Sequence, residues 1–192
     1  MVSCGDADGV VTGNTRRYGA SLEKITKVVD PRPDEIMFGL NMIVSKGKTV
    51  FIGDTSVHEY PSSEQLADIA ISSARVVRLF GFDPKVAFVS HSTFGQPLTS
   101  RTKHIKNAVN ILKEKNVNFK FDGDMQPDVA LNDQYKELYP FSEIVGNANI
   151  LIMPGQHSAA ISYKMMRELG GAKVIGPLLI GLGQPIEIAP LR

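Results

Sequence analysis

Apolar residues follow two rhythms along this chain, one helical and one unbroken, and the two alternate. Leu66, Ile69, Ala70, Ser73, Val77 and Phe80 recur on one face at helical spacing. Ser62 and Gln65 form a capping-box pair after Pro61, and Gly81 ends the pattern, so a helix is expected here. A second is expected over roughly 99–115, with Ile105, Ala108, Val109 and Leu112 as its apolar stripe. A third, roughly 158–169, repeats Ile161, Met165 and Leu169 and stops at Gly170-Gly171. A shorter helix is expected over 21–29, closed by Asp30-Pro31. Between these patterns lie short apolar, β-branched runs bounded by turn residues, at 36–44, 49–52, 85–90, 118–121, 149–153, 173–175 and 186–188. Ile150-Leu151-Ile152-Met153 shows no polar alternation, the mark of a strand buried on both faces. Lys46-Gly47-Lys48 reads as a tight hairpin and hence one antiparallel pair. The expected class is α/β, a mostly parallel sheet flanked by helices.

The chain has 192 residues, 43% of them hydrophobic, enough to fill the core of one domain, or of one large lobe with pieces of another. Basic and acidic residues nearly cancel, 21 against 20, which leaves no overall field to attract nucleic acid or an anionic membrane. Arg101, Lys103, His104 and Lys106 form the one basic cluster and read as a solvated helix face. A single cysteine, Cys4, cannot form an internal disulfide and fits a reducing compartment. With no apolar run near the length of a membrane span and no signal-peptide pattern, a cytoplasmic location is expected. The chain opens almost at once on Gly5-Asp6-Ala7-Asp8-Gly9 and stops at Leu191-Arg192 just after a strand. Both ends are abrupt for an α/β unit, and a fragment of something longer is expected.

In open α/β sheets ligands gather beyond the carboxyl ends of the strands, and three polar loops fall at such places. Ser90, Ser92, Thr93 and Gly95 follow one strand. Their hydroxyls, with N–H groups at the next helix start, offer a phosphate or carboxylate site, although an empty turn with an N-cap fits as well. Pro154-Gly155-Gln156-His157-Ser158 follows another strand. His157 there is an acid, base or hydrogen-bond donor candidate, yet its sequence neighbours hold no titratable partner, which favours a cap or surface role. The paired aspartates Asp6 and Asp8 lack the further oxygen ligands of a calcium loop, as does Asp122-Gly123-Asp124. Both read as backbone-shaping loops. Arg16, in the stretch after the first pair, is the plausible anion contact. No metal ligands and no catalytic residue are assigned within the chain.

Taken together the loops resemble the phosphate acetyl/butyryltransferase family. The likeness is carried by Gly5-Asp6-Ala7-Asp8-Gly9, Asp54, Pro61, Glu64-Gln65-Leu66-Ala67, Ser90-x-Ser92-Thr93, Asp122-Gly123, the run from Gly146 to Pro154, Tyr163-Lys164 and Gly176-Pro177-Leu178-Leu179. That family moves an acyl group between coenzyme A and phosphate. Its two-lobed α/β architecture resembles isocitrate dehydrogenase, with ligands in the cleft between lobes and dimeric assembly. The resemblance implies that residues 36–188 form the second lobe, while about 1–35 and the extreme C-terminus border the first. It also implies that Ser90, Ser92, Thr93 and Gly95 line an acyl-CoA or phosphate cleft, with Arg16, His157 and Ser158 nearby.

The departures sit in the same loops. Where active members carry Lys-Gly after Ser-Thr, this chain has Phe94-Gly95. Where they read Pro-Asp-Leu-x-x-Gly-Asn, it has Pro154-Gly155-Gln156-His157-Ser158-Ala159-Ala160. Their C-terminal Ser-Arg pair corresponds to Pro190-Leu191. Losing a cation from a site of developing negative charge costs about 3–4 kcal/mol of transition-state stabilisation by analogy with lost electrostatic donors. Binding without efficient catalysis is the expectation. One subgroup reads this way, the C-terminal phosphotransacetylase-like domain of bacterial NADP-dependent malic enzymes. In that subgroup separate malic and NADP-binding domains of the same polypeptide use NADP and a divalent metal (Mg or Mn) to decarboxylate malate oxidatively to pyruvate. The appended domain resembles an acetyl-CoA sensor that helps form a homodimer or larger homo-oligomer. A working phosphate acyltransferase and a purely structural oligomerisation module stay open beside it.

Overall fold

The computed structural model describes residues 1–191. Its principal sheet has six strands: β2 (Phe38–Ser45), β3 (Lys48–Gly53), β4 (Lys85–Val89), β5 (Lys120–Met125), β6 (Ile150–Ile152) and β7 (Lys173–Ile180), in the order β5-β4-β6-β3-β2-β7. β5, β4, β6 and β3 run parallel, and β2 is antiparallel to both β3 and β7. A separate parallel pair joins β1 (Val10–Gly13) to β8 (Ile186–Ala189). The class is α/β and mostly parallel, but with two antiparallel pairs where the hairpin signal marks only one.

The unbroken apolar runs are explained by two covered faces. Phe51 of β3, Val86 and Phe88 of β4, and Ile150 and Ile152 of β6 pack beneath α2 (Ser63–Leu79) and α3 (Ser100–Glu114). The intervening residues Ile52, Ala87, Val89 and Leu151 point the other way. They meet Val129 and Ala130 of α4 (Pro127–Leu131), Ala159 of α5 (Gln156–Gly170), and Ile144 and Val145 of the preceding loop. Each fully buried aliphatic or aromatic side chain contributes roughly 1.5–3 kcal/mol. A third cluster, built on Val29, Leu179, Leu182, Ile186 and Ile188, sits under β1, β8 and α1 (Tyr18–Ile25).

Helix signals carry over unevenly. In α2 the Ser62–Gln65 capping box forms as read, and Gly81 follows in the left-handed region at φ 83°. Ile105, Ala108, Val109 and Leu112 of α3 are all buried. The expected stripe of α5 faces out instead: Ile161, Met165 and Leu169 are exposed, while Ala159, Tyr163 and Met166 pack on the core. α1 begins before the expected start and ends at Ile25. β1 and α4 carry no sequence expectation, and β7 runs on through Gly176-Pro177 to Ile180, well past the three residues expected. Among the described residues, no helix is long and apolar enough to cross a membrane.

Candidate functional site

Parallel β3, β4 and β6 deliver three loops to one edge of the sheet, and β5 delivers Asp124 beside them. The β4–α3 loop is packed inward. Ser90, Ser92 and Thr93 are all buried, as is Asp124 at 1% exposure. Asp124 organises them: Ser92 Oγ donates to its Oδ2, and Gly95 N–H donates to its Oδ1 at 3.0 Å. Ser90 Oγ lies 3.0 Å from Ser92 Oγ. Because the Ser92 hydroxyl has one proton and gives it to the carboxylate, Ser90 must be the donor in that pair. Thr93 Oγ1 accepts from Gln126 N–H at 3.3 Å. The hydroxyls are therefore held by protein partners, and Asp124 has the backbone-shaping role expected of its loop.

The next helix starts only after the loop has run on past the cis Gln96-Pro97 bond to Thr99. α3 begins only at Ser100, and its N-cap Thr99 accepts from Thr102 N–H at 3.2 Å while Thr102 Oγ1 accepts from Thr99 N–H at 2.8 Å. The capping box takes up the N–H groups of Thr99 and Thr102 and leaves those of Ser100 and Arg101 at the helix start without an intrahelical partner. Phe94 adopts φ 50° and packs on Tyr139 and Phe141, with ring centroids 5.3 and 4.8 Å away.

The β3–α2 loop folds around Asp54. Its carboxylate, 1% exposed, accepts N–H bonds from Gly39, Ser56, Val57 and His58, and its Oδ2 lies 2.8 Å from His58 Nδ1. A fully occupied carboxylate fixes Nδ1 as the protonated ring nitrogen. The same loop supplies what His157 lacks in sequence: Glu59 Oε1 sits 2.7 Å from His157 Nε2, and Tyr60 stacks on that ring at 6.3 Å. Gln156 N–H donates to His58 O at 3.1 Å, binding the start of α5 to the loop. Ser158 Oγ donates to Gly155 O at 2.9 Å. Gly155 is demanded by closeness, since a Cβ there would collide with Glu59 O.

Arg16 stands apart from both loops. With Thr12, Thr15, Ser21 and Lys24 it lines a cavity of about 310 Å³ after β1. Among the described residues no hydrogen bond joins Arg16 to Ser90–Gly95 or to His157–Ser158. The seven sequence candidates thus form three clusters: a buried hydroxyl loop, the α5 start with the 54–60 loop, and a cationic cavity. Tyr18 ties α1, whose Ser21 and Lys24 line that cavity, to the 54–60 loop: its hydroxyl accepts from Ser56 Oγ at 3.3 Å, and burial pushes its pKa up to about 12. Glu59 and Asp124 escape sequence reasoning as site residues because each acts through a partner far along the chain, whereas His58 pairs with Asp54 only four residues away, in a loop with no periodic signal. Asp54 carries only a motif likeness in the sequence. Among the described residues, no three His, Cys, Asp or Glu side chains gather as metal ligands.

Comparison with known proteins follows the same outline. A family model described as phosphate acetyl/butaryl transferase matches residues 1–190. The NADP-dependent malic enzyme of Rhizobium meliloti (strain 1021) is 47% identical over 191 residues, 100% of this chain but 25% of that protein. The phosphate acetyltransferase of Bacillus subtilis (strain 168) is 31% identical over 189 residues, 97% of this chain and 58% of that protein. A crystal structure of a phosphotransacetylase from Streptococcus pyogenes superposes with TM-score 0.93 at 27% identity, covering 100% of this chain and 59% of the other. The chain therefore spans a quarter of the Rhizobium malic enzyme and somewhat over half of the Bacillus and Streptococcus transferases. With the sheet, the loops and the match over 1–190 in agreement, the chain belongs to the phosphate acetyl/butaryl transferase family, in the form found as part of NADP-dependent malic enzymes.

Proposed function

We propose that this chain is an acyl-CoA-sensing and oligomer-forming domain of a malic enzyme, without efficient acyl transfer of its own. The observation that carries this reading is the chemistry at Phe94. Where active family members place a lysine beside the Ser-Thr loop, this chain turns an aromatic ring onto Tyr139 and Phe141. Pro190-Leu191 stands where they carry Ser-Arg. By the family resemblance two cations thus give way to apolar groups, one in the loop after β4 and one after β8, which favours recognition over stabilisation of developing charge. Acetyl-CoA is the effector of this reading. NADP and a divalent metal (Mg or Mn) belong to malic and NADP-binding domains elsewhere in the polypeptide, and residues 1–35 with the extreme C-terminus border a first lobe. Acetyl-CoA regulates the parent only by binding one of its conformations more tightly than another. A reducing cytoplasmic setting accords with the lone Cys4.

The test is to supply the full-length protein with acetyl-CoA and inorganic phosphate and follow release of free thiol. Thiol release at the buffer rate is expected. Steady, enzyme-dependent release would establish the rival reading, an active phosphate acyltransferase.

A further inference from the structure

We propose that the aromatic cluster beside the β4–α3 loop, with the cations that open α3, holds the nucleotide end of the acyl-CoA effector. The inference rests on the acyl-CoA reading and adds which face takes which end of the ligand. Ser90 and Ser92 spend their protons within the protein, so the loop has little left to offer a ligand through hydroxyls. Its surroundings present aromatic surface and positive charge instead.

Phe141 is 69% exposed although its ring is fixed on two sides. Phe94 lies 4.8 Å away with the planes at 67°, and Tyr139 lies 6.2 Å away with the planes at 86°. The backbone beneath is closed by Ser142 N–H donating to Tyr139 O at 3.1 Å. A fixed ring with most of its surface open is a stacking platform for a planar base. Positive charge comes from α3, which carries Arg101, Lys103, Lys106 and Lys113 against one acid, Glu114. In a chain whose charges nearly cancel, this is a local excess. Arg101 and Lys103 are exposed, and among the described residues neither has an ion-pair partner. Thr102 Oγ1, between them, lies 3.3 Å from Pro97 O, which seats the opening turn of α3 on the loop that carries Phe94. A phosphate alone would use the cations and leave the ring idle. A pantetheine thioester alone would need neither. The adenosine diphosphate end of coenzyme A uses both, with its base on Phe141 and its phosphates at Arg101 and Lys103. None of these residues lies in 1–35 or at the extreme C-terminus, the segments that border a first lobe.

Titration calorimetry on the full-length protein tests this with acetyl-CoA, with adenosine diphosphate as the nucleotide-only probe and with acetyl-pantetheine as the probe lacking a nucleotide. Phe141→Ala is expected to lower affinity for acetyl-CoA and adenosine diphosphate about tenfold and to leave acetyl-pantetheine unchanged. Phe141→Trp is expected to keep all three. Arg101→Gln with Lys103→Gln is expected to weaken the two nucleotides and flatten the salt dependence of their binding. Glu35→Gln, a change to the partner of Arg75 outside both clusters, is expected to bind like the wild type. Wild-type affinity for acetyl-CoA in Phe141→Ala overturns the proposal and leaves the acyl-CoA reading standing. An equal loss for acetyl-pantetheine, or unchanged salt dependence in the double variant, overturns it likewise. Protection of a Phe141→Cys thiol from maleimide in the ligand-free protein does so too, since another part of the polypeptide would then cover the ring. Only a wild-type protein without acetyl-CoA heat defeats both readings together.

Discussion

Ser92 and Asp124 lie 32 residues apart in sequence and are joined by a hydrogen bond in the floor of the β4–α3 loop. The carboxylate also takes Gly95 N–H, so one side chain from the end of β5 sets the path of the neighbouring loop. Asp124→Ala strands a buried hydroxyl and a backbone N–H, each costing about 1–3 kcal/mol. The variant is expected to lose about 2–4 kcal/mol in urea denaturation, and Asp124→Asn, which keeps an acceptor for Gly95, less than half of that.

The meeting of the 54–60 loop with α5 depends on a missing side chain. Gly155→Ala forces a Cβ into Glu59 O, so the loop and helix start must separate. A loss of about 1–3 kcal/mol is expected, with the His157–Glu59 pair broken. Chemical denaturation reads the first effect, and the ring shifts of His157 in NMR read the second.

Glu187 gives a pH signature. Burial raises its pKa above the ordinary carboxyl value, so the folded state holds its proton more tightly than the unfolded chain does. The carboxyl therefore costs no stability below about 4.5 and an increasing amount as pH rises through the folded value. Glu187→Gln keeps an acceptor for Leu179 N–H, and at pH 7 it is expected to raise stability by up to about 1 kcal/mol, discounted for the exposed half of the side chain. The gain should vanish at pH 4. A Tm difference between variant and wild type that stays constant with pH contradicts this.

The outward stripe of α5 provides an assembly prediction. Leu169 is 82% exposed, and Ile161 and Met165 lie on the same helix with more than half their surface open. If the protein forms homo-oligomers through this helix, Ile161→Lys with Leu169→Lys lowers the mass seen by light scattering. Protomer stability is expected to hold within about 0.5 kcal/mol, as for exposed positions generally.

That same helix marks a limit of sequence reading. Periodicity in α3 and α5 looks alike, yet only α3 buries its stripe, because spacing shows that a face is apolar and says nothing of what covers it. α5 turns Ala159 inward together with Tyr163 and Met166, a face offset from the regular Ile161, Met165 and Leu169 stripe. Gly176-Pro177 has the look of a turn, yet it lies within a strand paired to β2, so β7 extends past the expected 173–175. β1 is four residues with no periodic signal. The helical cap at Ser62 is the most legible feature, being local chemistry with Gln65 three residues on, while the Thr99–Thr102 box follows only from the structure. Partners such as Glu59 for His157, separated by 98 positions, follow only from the fold.

The most direct test of the whole account is calorimetric titration of acetyl-CoA into the full-length protein. Saturable binding that Asp124→Ala abolishes and Glu35→Gln leaves intact is the predicted result. No binding heat at any concentration, with malic activity indifferent to acetyl-CoA, would contradict it and leave a structural module in its place.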